Sequence, residues 1–362
     1  MSESSAQVVR YAVVGLGRAG WGIHVHQLRG RADSRIVAVV DPVEERRNEA
    51  VAEFQCEAYP SLAKMLRRHA ADVDVVVIAT RSADHARDTR AALRAGKHVV
   101  VEKPMATSLR EADAMIRAAD EANKKLFVHQ NYRFYPEFLH LKEVADSGVI
   151  GRLFHVRNYI AAFARRNDWQ TLAKNGGGVL NNTAVHFLDQ ILQLLPGTVT
   201  RVCGDLQQIA SAGDVEDHVK AFIRTDRGAT ADIEISTAQN VAMPLPKWIL
   251  CGTHGTLTCD GERSIVRFFD PKAAPPLEVI DGPAQDRKYG NADKLPWQER
   301  TIDVPARPHG AFYDNVNAVL AGREAMRVTP ASVRETMRVL ELIRKSAGSK
   351  SDRGAAAARG TC

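Results

Sequence analysis

The sequence is poor in cysteine and has no long apolar run. Its 362 residues include five cysteines, an odd number, and no two of them form a Cys-x-x-Cys pair. That count argues against a disulfide framework and a structural zinc site, so no metal is expected. The longest apolar runs, such as residues 75–79, are far shorter than the ~20 residues that span a bilayer. The N-terminus also lacks an apolar signal core. These absences predict a cytoplasmic protein with no membrane partner.

Charge of both signs is present in ordinary amounts, and the small basic excess is spread along the chain. There are 49 lysines and arginines against 43 aspartates and glutamates, a net charge of +6. Aromatic residues make up only 6% and are not interleaved with basic clusters, which argues against a nucleic-acid partner. Hydrophobic residues make up 45%, so most of the chain is expected to fold.

Short apolar strands alternate with helical stretches in the first third of the chain. Strands are predicted at residues 8–14, 35–40, 72–79, 98–101 and 125–129. Charged, alanine-rich stretches with helical spacing, such as 108–123, lie between them. This alternation is typical of βαβ units, so residues 1–130 are predicted to form an α/β Rossmann domain around a doubly wound parallel sheet.

The pattern changes after about residue 130. Residues 152–260 contain longer strands with alternating polarity and hairpin turns, which predicts an open, mostly antiparallel sheet. We therefore expect an α+β domain over residues 131–348. The segment 271–308 is rich in Pro, Gly and Asp and is predicted to be a long, irregular surface excursion.

The last helix has clear signals at its start and along one face. Thr329 is a suitable N-cap, and Pro330 suits the first helical position. The face predicted to be buried carries Val333, Met337, Leu340 and Ile343. Residues 349–362 are small, polar and basic and are predicted to form a flexible tail.

A GxGxxG sequence follows the first predicted strand. Gly15 allows a tight turn, Gly17 lets the backbone approach a pyrophosphate, and Gly20 lets the next helix pack closely on the sheet. Free N–H groups at the start of that helix suit phosphate charge. The pattern therefore predicts a dinucleotide site. The loop residues predicted to bind the cofactor are Gly15, Leu16, Gly17, Arg18, Ala19 and Gly20.

An acidic residue ends the second strand and sets the expected cofactor. Asp41 follows Gly20 by 21 residues, where a carboxylate can bind the adenosine ribose hydroxyls. Its charge would repel a 2′-phosphate, so NAD is favoured over NADP. Arg46 and Arg47 are interpreted as part of a solvated helix face.

Two further motifs carry groups suited to proton and charge transfer. Lys103 follows the strand at 98–101, and a lysine there can stabilise a developing alkoxide. Downstream, three glycines precede a helical stretch in which Asn182, His186 and Asp189 share one face and suggest a lined pocket. His186 can act as a general base at neutral pH. Taken alone, the same residues also fit a surface lysine and a structural histidine.

Together these motifs resemble the glucose–fructose oxidoreductase/inositol dehydrogenase (Gfo/Idh/MocA) family. The resemblance rests on GLGRAG, VVD, TRSADH, EKP and a GGG run followed by His186 and Asp189, and it extends over residues 8–346. It implies a Rossmann domain followed by a substrate-binding domain, here residues 131–348, whose open sheet mediates dimer or tetramer contacts. It also implies NAD(P)-dependent oxidation or reduction of sugars, polyols and related small molecules.

The resemblance implies roles for individual residues. Lys103 and His186 match the pair that handles the proton of the reacting hydroxyl, and Asn182 lies beside them. Glu102, Thr80 and His85 match positions that contact the cofactor, as does Lys103. The residues expected to contact the substrate are Arg133, Asp168, Trp169, Asn182 and His186.

The chain departs from the family pattern at two places. Many dehydrogenases of the family carry Asp where this chain has Asn182, and Arg81 and Ser82 replace Pro and Asn. An amide keeps the hydrogen-bond geometry but removes the charge that favours an imidazolium. Three functions stay open: an NAD-dependent dehydrogenase of a sugar, polyol or glycoside; an enzyme that retains NAD and cleaves a glycoside by transient oxidation and elimination; and a non-catalytic, NAD-binding regulatory protein.

Overall fold

The chain folds around two β-sheets, as the sequence predicts. The structure is a computed structural model that describes residues 8–279, 281–283, 287, 294–306 and 310–351. One sheet has six parallel strands and the other has eight strands, most of them antiparallel. The Rossmann sheet and the open second sheet are therefore both confirmed.

The first sheet has the strand order 3-2-1-4-5-6, which places a switch point between the first and fourth strands. Apolar runs at residues 11–14, 75–78, 99–101 and 126–128 of this sheet are buried on both faces, because helices cover the sheet on either side. The strands are β1 Val9–Val14, β2 Ser34–Val40, β3 Glu57–Tyr59, β4 Val75–Ile78, β5 His98–Val101 and β6 Leu126–Val128.

Two helices of this half, those that begin at Leu62 and Leu109, are capped by serine side chains. Ser108 is the N-cap of the helix predicted at 108–123, and its hydroxyl accepts the Glu111 N–H at 3.3 Å. A π-helical turn, Gly20–Val25, follows the glycine loop and continues into α1. The helices are α1 His26–Leu28, α2 Glu44–Phe54, α3 Leu62–His69, α4 His85–Arg94 and α5 Leu109–Glu121.

The second sheet has the order β14-β13-β12-β11-β7-β10-β9-β8. Its pairs are antiparallel except for β7 and β10, which run parallel at the centre. The strands are β7 Leu153–Ala161, β8 Val199–Gln207, β9 His218–Thr225, β10 Thr230–Ser236, β11 Trp248–Gly252, β12 Gly255–Cys259, β13 Arg263–Phe268 and β14 Gln298–Asp303.

The prediction of an irregular segment over 271–308 is wrong for its last part. Residues 298–303 form β14, an edge strand that pairs with β13. All six residues of β14 are exposed, so the strand has no apolar face to mark it in the sequence. Charged side chains are common on edge strands because they discourage pairing with other chains. Residues 280, 284–286, 288–293 and 307–309 of this segment lie outside the described residues.

The last two helices contact the Rossmann half although they follow the second sheet in sequence, and the second of them also packs along β8 of that sheet. The helix predicted to begin after Thr329 is confirmed, and its four predicted face residues are all buried. The preceding helix presents Tyr313 to Tyr11 of β1, with ring centroids 5.5 Å apart. The helices of this half are α6 Pro136–Ser147, α7 Val185–Leu194, α8 Ala311–Leu320 and α9 Pro330–Ser351.

Helix α9 runs to Ser351, and residues 352–362 of the predicted tail lie outside the described residues. In the described part of the chain, every helix is too short or too polar to cross a bilayer.

Candidate active site

A cleft of about 830 Å³ opens at the carboxyl ends of β1, β2, β4 and β5. Its other wall comes from two segments of the second half, residues 166–170 and 176–182. This position, at the switch point of a doubly wound sheet, is where such folds bind ligands. The predicted site residues that line the cleft are Gly15, Gly17, Arg18, Ala19, Asp41, Thr80, His85, Glu102, Lys103, Asp168, Trp169 and Asn182.

The glycine loop has the geometry that a dinucleotide requires. Gly15 has a φ of +89°, and a Cβ at Gly20 would lie 1.7 Å from the Gly15 carbonyl oxygen, so both positions need glycine. A Cβ at Gly17 would meet nothing within 4 Å, because this residue lines the open cleft. Leu16 is buried and supports the loop from below. The residues present therefore fit a pyrophosphate group.

Asp41 holds the loop as well as lining the cleft. Its Oδ2 accepts the Leu16 N–H at 2.7 Å, and its Oδ1 accepts the Val43 N–H at 2.9 Å. Arg46 is not simply a solvated helix residue as predicted, because it lines the cleft with its Nη1 3.6 Å from Asp41 Oδ2. Arg47 instead donates to the Asp41 carbonyl at 2.8 Å. A guanidinium thus lies beside the carboxylate expected to select the cofactor.

His85 joins the two loops that follow β4 and β5. Its Nδ1 lies 2.8 Å from the Pro104 carbonyl oxygen, and its Nε2 lies 3.2 Å from that of Thr80. Burial lowers the pKa of His85, so the neutral ring donates to Pro104, the shorter of the two contacts. Thr80 is fixed in turn by a 3.1 Å hydrogen bond from its hydroxyl to Asp88.

Lys103 reaches across the cleft to the glycine-rich segment. Its Nζ donates to the Asn182 carbonyl oxygen at 2.9 Å and lies 3.4 Å from Asn182 Oδ1. The Asn182 amide also exchanges hydrogen bonds with Gln170 at 3.2 and 3.3 Å. Gln170 accepts from Arg166, which pairs with Asp168 at 2.7 Å. The sequence-predicted residues are therefore joined through two side chains that the sequence did not single out.

The charge of Lys103 is set by opposing influences. Burial lowers its pKa, and the nearby guanidinium groups of Arg18 and Arg166 lower it further. The negative charge of Glu102 acts in the opposite direction and favours the ammonium form. Glu102 itself is only 4% exposed. The protonation of the lysine therefore depends on a carboxylate that is almost shielded from solvent.

His186 lies beneath the cleft rather than on its wall. Its ring stacks on Tyr132, with centroids 3.9 Å apart and planes 12° from parallel. Its Nδ1 is buried and has no hydrogen-bond partner among the residues that the structure describes. Burial, followed by the charge of Lys103, holds its pKa well below the ordinary value. The imidazole is therefore neutral at physiological pH, and its lowered pKa makes it a weaker base than an ordinary histidine.

Arg133 and Asp189 are not brought to the cleft. They form a buried ion pair in which two guanidinium nitrogens each lie 2.6 Å from a carboxylate oxygen. Thr336 and Ser332 of α9 complete their hydrogen bonds at 2.8 Å. The expectation that Arg133 contacts substrate, and that Asp189 faces a pocket, is not met because each side chain is occupied by the other.

Family models match both halves of the chain. The NAD-binding Rossmann fold of the oxidoreductase family described as GFO_IDH_MocA matches residues 9–130, and the C-terminal domain model matches residues 138–258. The chain belongs to the Gfo/Idh/MocA oxidoreductase family. The resemblance seen in the motifs is thereby confirmed.

Individual relatives in this family are dehydrogenases. A 1-carboxy-3-chloro-3,4-dihydroxycyclohexa-1,5-diene dehydrogenase of Comamonas testosteroni is 35% identical over 63% of this chain and 58% of that protein. A D-apiose dehydrogenase of Paraburkholderia graminis is 31% identical over 71% of this chain and 69% of the relative. The crystal structure of an NAD-binding protein from Listeria innocua is 29% identical, with a TM-score of 0.78, and covers 95% of this chain and 96% of its own.

Sequence reasoning missed several residues of this Gfo/Idh/MocA site. Arg166 and Gln170 lie in an irregular segment without a motif, although Gln170 follows the predicted Asp168-Trp169 pair directly. His24, His129 and Tyr313 surround Glu102 and come from three distant parts of the chain. The sequence gives one indication of a role for His24, namely that it lies four residues after Gly20 of the glycine loop.

Proposed function

We propose that this chain is an NAD-dependent oxidoreductase that transfers a hydride between the nicotinamide and a hydroxyl-bearing carbon of a sugar, polyol or glycoside. The observation that carries the proposal is that one cleft is lined both by the glycine loop and by Lys103. The dehydrogenases named above support it, since an apiose and a dihydroxycyclohexadiene both present hydroxyl-bearing carbons.

In the proposed reaction, the chain's residues handle the proton and the charge. The bound cofactor accepts or supplies the hydride. Lys103 donates a hydrogen bond to the substrate oxygen and stabilises negative charge that develops there. His186 takes the hydroxyl proton in the oxidation direction, which its neutral ring allows. Asn182 orients Lys103 through its carbonyl oxygen. Asp168 and Trp169 are proposed to contact the substrate from the opposite wall.

The direct test is a panel of hexoses, uronates, inositols and glycosides with NAD and NADP. Absorbance of the reduced nicotinamide and the product mass are followed together. We expect NADH to accumulate with a product lighter by two hydrogens. Cleavage of a glycoside without net NADH would instead support the NAD-retaining elimination enzyme that the neutral Asn182 left open. Cofactor binding without turnover of any compound would favour the regulatory protein.

The cofactor preference is expected to depend on the charge of Asp41. In the Asp41→Asn variant, we expect discrimination between NAD and NADP to fall by about tenfold or more, because a hydrogen bond to a charged group contributes about 1.5–3 kcal/mol. The nearby Arg46 is then free to attract a 2′-phosphate. Dissociation constants from titration of intrinsic fluorescence measure the change. Asp120→Asn, on the exposed end of α5, is the control. Unaltered discrimination in Asp41→Asn would contradict the role.

We propose that the chain forms a homodimer or homotetramer through its second sheet. The family resemblance supports this, and large apolar side chains on strands of that sheet are exposed, namely Phe154, Ile265 and Ile302. Light scattering should give two or four times the chain mass of 39.7 kDa. A monomer at micromolar concentration would refute the proposal.

A further inference from the structure

A buried cluster of hydrogen bonds surrounds the side chain of Glu102, the residue that precedes Lys103. The Glu102 Oε1 atom lies 2.6 Å from His129 Nδ1 and 3.0 Å from His24 Nε2. Its Oε2 accepts the backbone N–H of Lys103 at 3.1 Å. The far nitrogen of His24 lies 2.7 Å from the Tyr313 hydroxyl. Two histidines that are remote in sequence therefore contact one carboxylate, and Tyr313 contacts one of those histidines.

One arrangement of protons satisfies these contacts. Burial raises the pKa of Tyr313 well above its ordinary value, so the hydroxyl keeps its proton and donates it to His24 Nδ1. His24 must then carry its own proton on Nε2, facing Glu102. Burial, followed by the charge of His129, lowers the pKa of His24 and keeps that ring neutral. Tyr313 thus selects the His24 tautomer that donates to the carboxylate.

The two histidines keep the carboxylate ionised despite its burial. Burial alone would raise the pKa of Glu102. The charge of His129 and the hydrogen bonds from His129 and His24 outweigh burial and hold the pKa well below its ordinary value. The other titratable rings that feel this charge are His85 and His186, and burial lowers the pKa of both.

The ligand atoms of His24, Glu102 and His129 lie within 4.8 Å of one another, a spacing that a metal ion could also bridge. Both nitrogen–oxygen distances, however, are hydrogen-bond distances, and Tyr313 occupies the far side of His24. Protons alone account for the contacts. A metal ion is therefore not needed to explain the cluster. The metal content of the purified protein is measured as part of the test below.

Among the charged groups of the described residues that act on Lys103, the Glu102 carboxylate favours the ammonium form. Burial and the guanidinium groups of Arg18 and Arg166 all favour the neutral amine. Asn182, which accepts the lysine hydrogen bonds, carries no charge. A neutral lysine could not stabilise negative charge on a substrate oxygen as the proposed function requires.

We propose that His24, His129 and Tyr313 are positioning residues that hold Glu102 as a buried carboxylate and through it keep Lys103 an oriented ammonium group. The inference rests on the proposed function only in giving Lys103 a substrate to act on. The protonation state of Lys103, which the inference concerns, can be measured without any substrate.

The first experiment titrates Lys103 in the full chain. Lysines are reductively methylated with ¹³C, and the Lys103 signal is assigned by its loss in Lys103→Arg. We expect Glu102→Gln to lower the pKa of Lys103 by about 1–3, the usual effect of losing an adjacent opposite charge. His129→Leu should lower the pKa of Lys103 in the same direction, whereas His129→Asn keeps a hydrogen-bond donor without the charge and should restore only part of the wild-type value. His140→Asn, which removes a histidine bonded to Ser264, is the control and should leave it unchanged.

The second experiment uses the pH profile of kcat/KM for any compound that the wild-type enzyme oxidises. The alkaline limb should move to lower pH in Glu102→Gln and His129→Leu, and by a smaller amount in Tyr313→Phe. A merely structural role would lower activity without moving the limb. Tyr313→Phe and His129→Asn are mild changes, so they test the proposal even if Glu102→Gln does not fold.

The outcomes separate the two proposals. An unshifted Lys103 titration in Glu102→Gln, or one zinc ion per chain in purified protein, overturns the positioning role while leaving the proposed function untouched. A shifted titration in a protein that oxidises none of the panel supports the positioning role and overturns the proposed function.

Discussion

The Lys103→Met variant is expected to lose about 10²–10⁴-fold in kcat, the range over which a positioned proton or charge partner contributes to catalysis. Methionine has a similar length but cannot donate a hydrogen bond to the substrate oxygen. The glycine loop and Asp41 do not depend on the lysine, so NAD should still bind. Steady-state kinetics and cofactor titration on the same preparation measure both quantities.

Two control variants test whether a loss of kcat in Lys103→Met is specific to that lysine. Lys142→Met changes an exposed lysine of α6 that pairs with Asp146 far from the cleft, and it should leave kcat unchanged. Lys103→Arg keeps the charge but not the compact shape of the ammonium group, and it should recover only part of the rate. If Lys103→Met stayed within about tenfold of the wild-type kcat, the lysine would lie outside the reaction path.

The Asp189→Asn variant is expected to lower the free energy of unfolding by about 3–5 kcal/mol, because it leaves the buried guanidinium of Arg133 without its counter-charge. The pair is almost inaccessible, with 6% and 1% of the two side chains exposed. The pair joins α7, α9 and the turn after β6, so breaking it weakens the packing of three elements. Urea unfolding followed by circular dichroism gives the midpoint and slope.

Asp146→Asn provides the matched comparison, since it breaks an exposed pair with Lys142 that contributes at most about 0.5 kcal/mol. Replacing both buried partners, as Arg133→Met with Asp189→Leu, should recover much of the stability, because no charge is then left unpaired. An Asp189→Asn protein as stable as the wild type would mean that Arg133 reaches solvent.

The sequence was informative wherever one local pattern decides the structure. Runs such as Val75–Ile78 predict buried parallel strands, and the glycines at 15 and 20 have contacts that no other residue allows. Strand β3 has only three residues, and β14 is exposed throughout, so neither has the apolar pattern that predicts a strand. Local reasoning therefore predicted the fold and the positions in the loop after β1 that require glycine, but not the sheet edges.

Contacts between distant segments were beyond such reasoning. The family resemblance implied that Arg133 contacts substrate, yet its partner Asp189 lies 56 residues away and holds it in the interior. His24 and Tyr313 are separated by 289 residues, and neither belongs to a motif that names the other. Whether a polar side chain faces substrate or a buried partner is decided by such pairings, which no short pattern contains.

Helix α8 has a consequence for how this protein can be divided. Phe312 packs edge-on against His129 at 4.6 Å, and the Asn317 amide donates to Ser34 at 2.9 Å, so the helix closes the underside of the dinucleotide half. A fragment ending at residue 130 would expose the surfaces of His129 and Ser34 that α8 covers. It would also lack Tyr313, which contacts His24. A chimera of two relatives should therefore take the first 130 residues and the segment from residue 310 onward from the same parent.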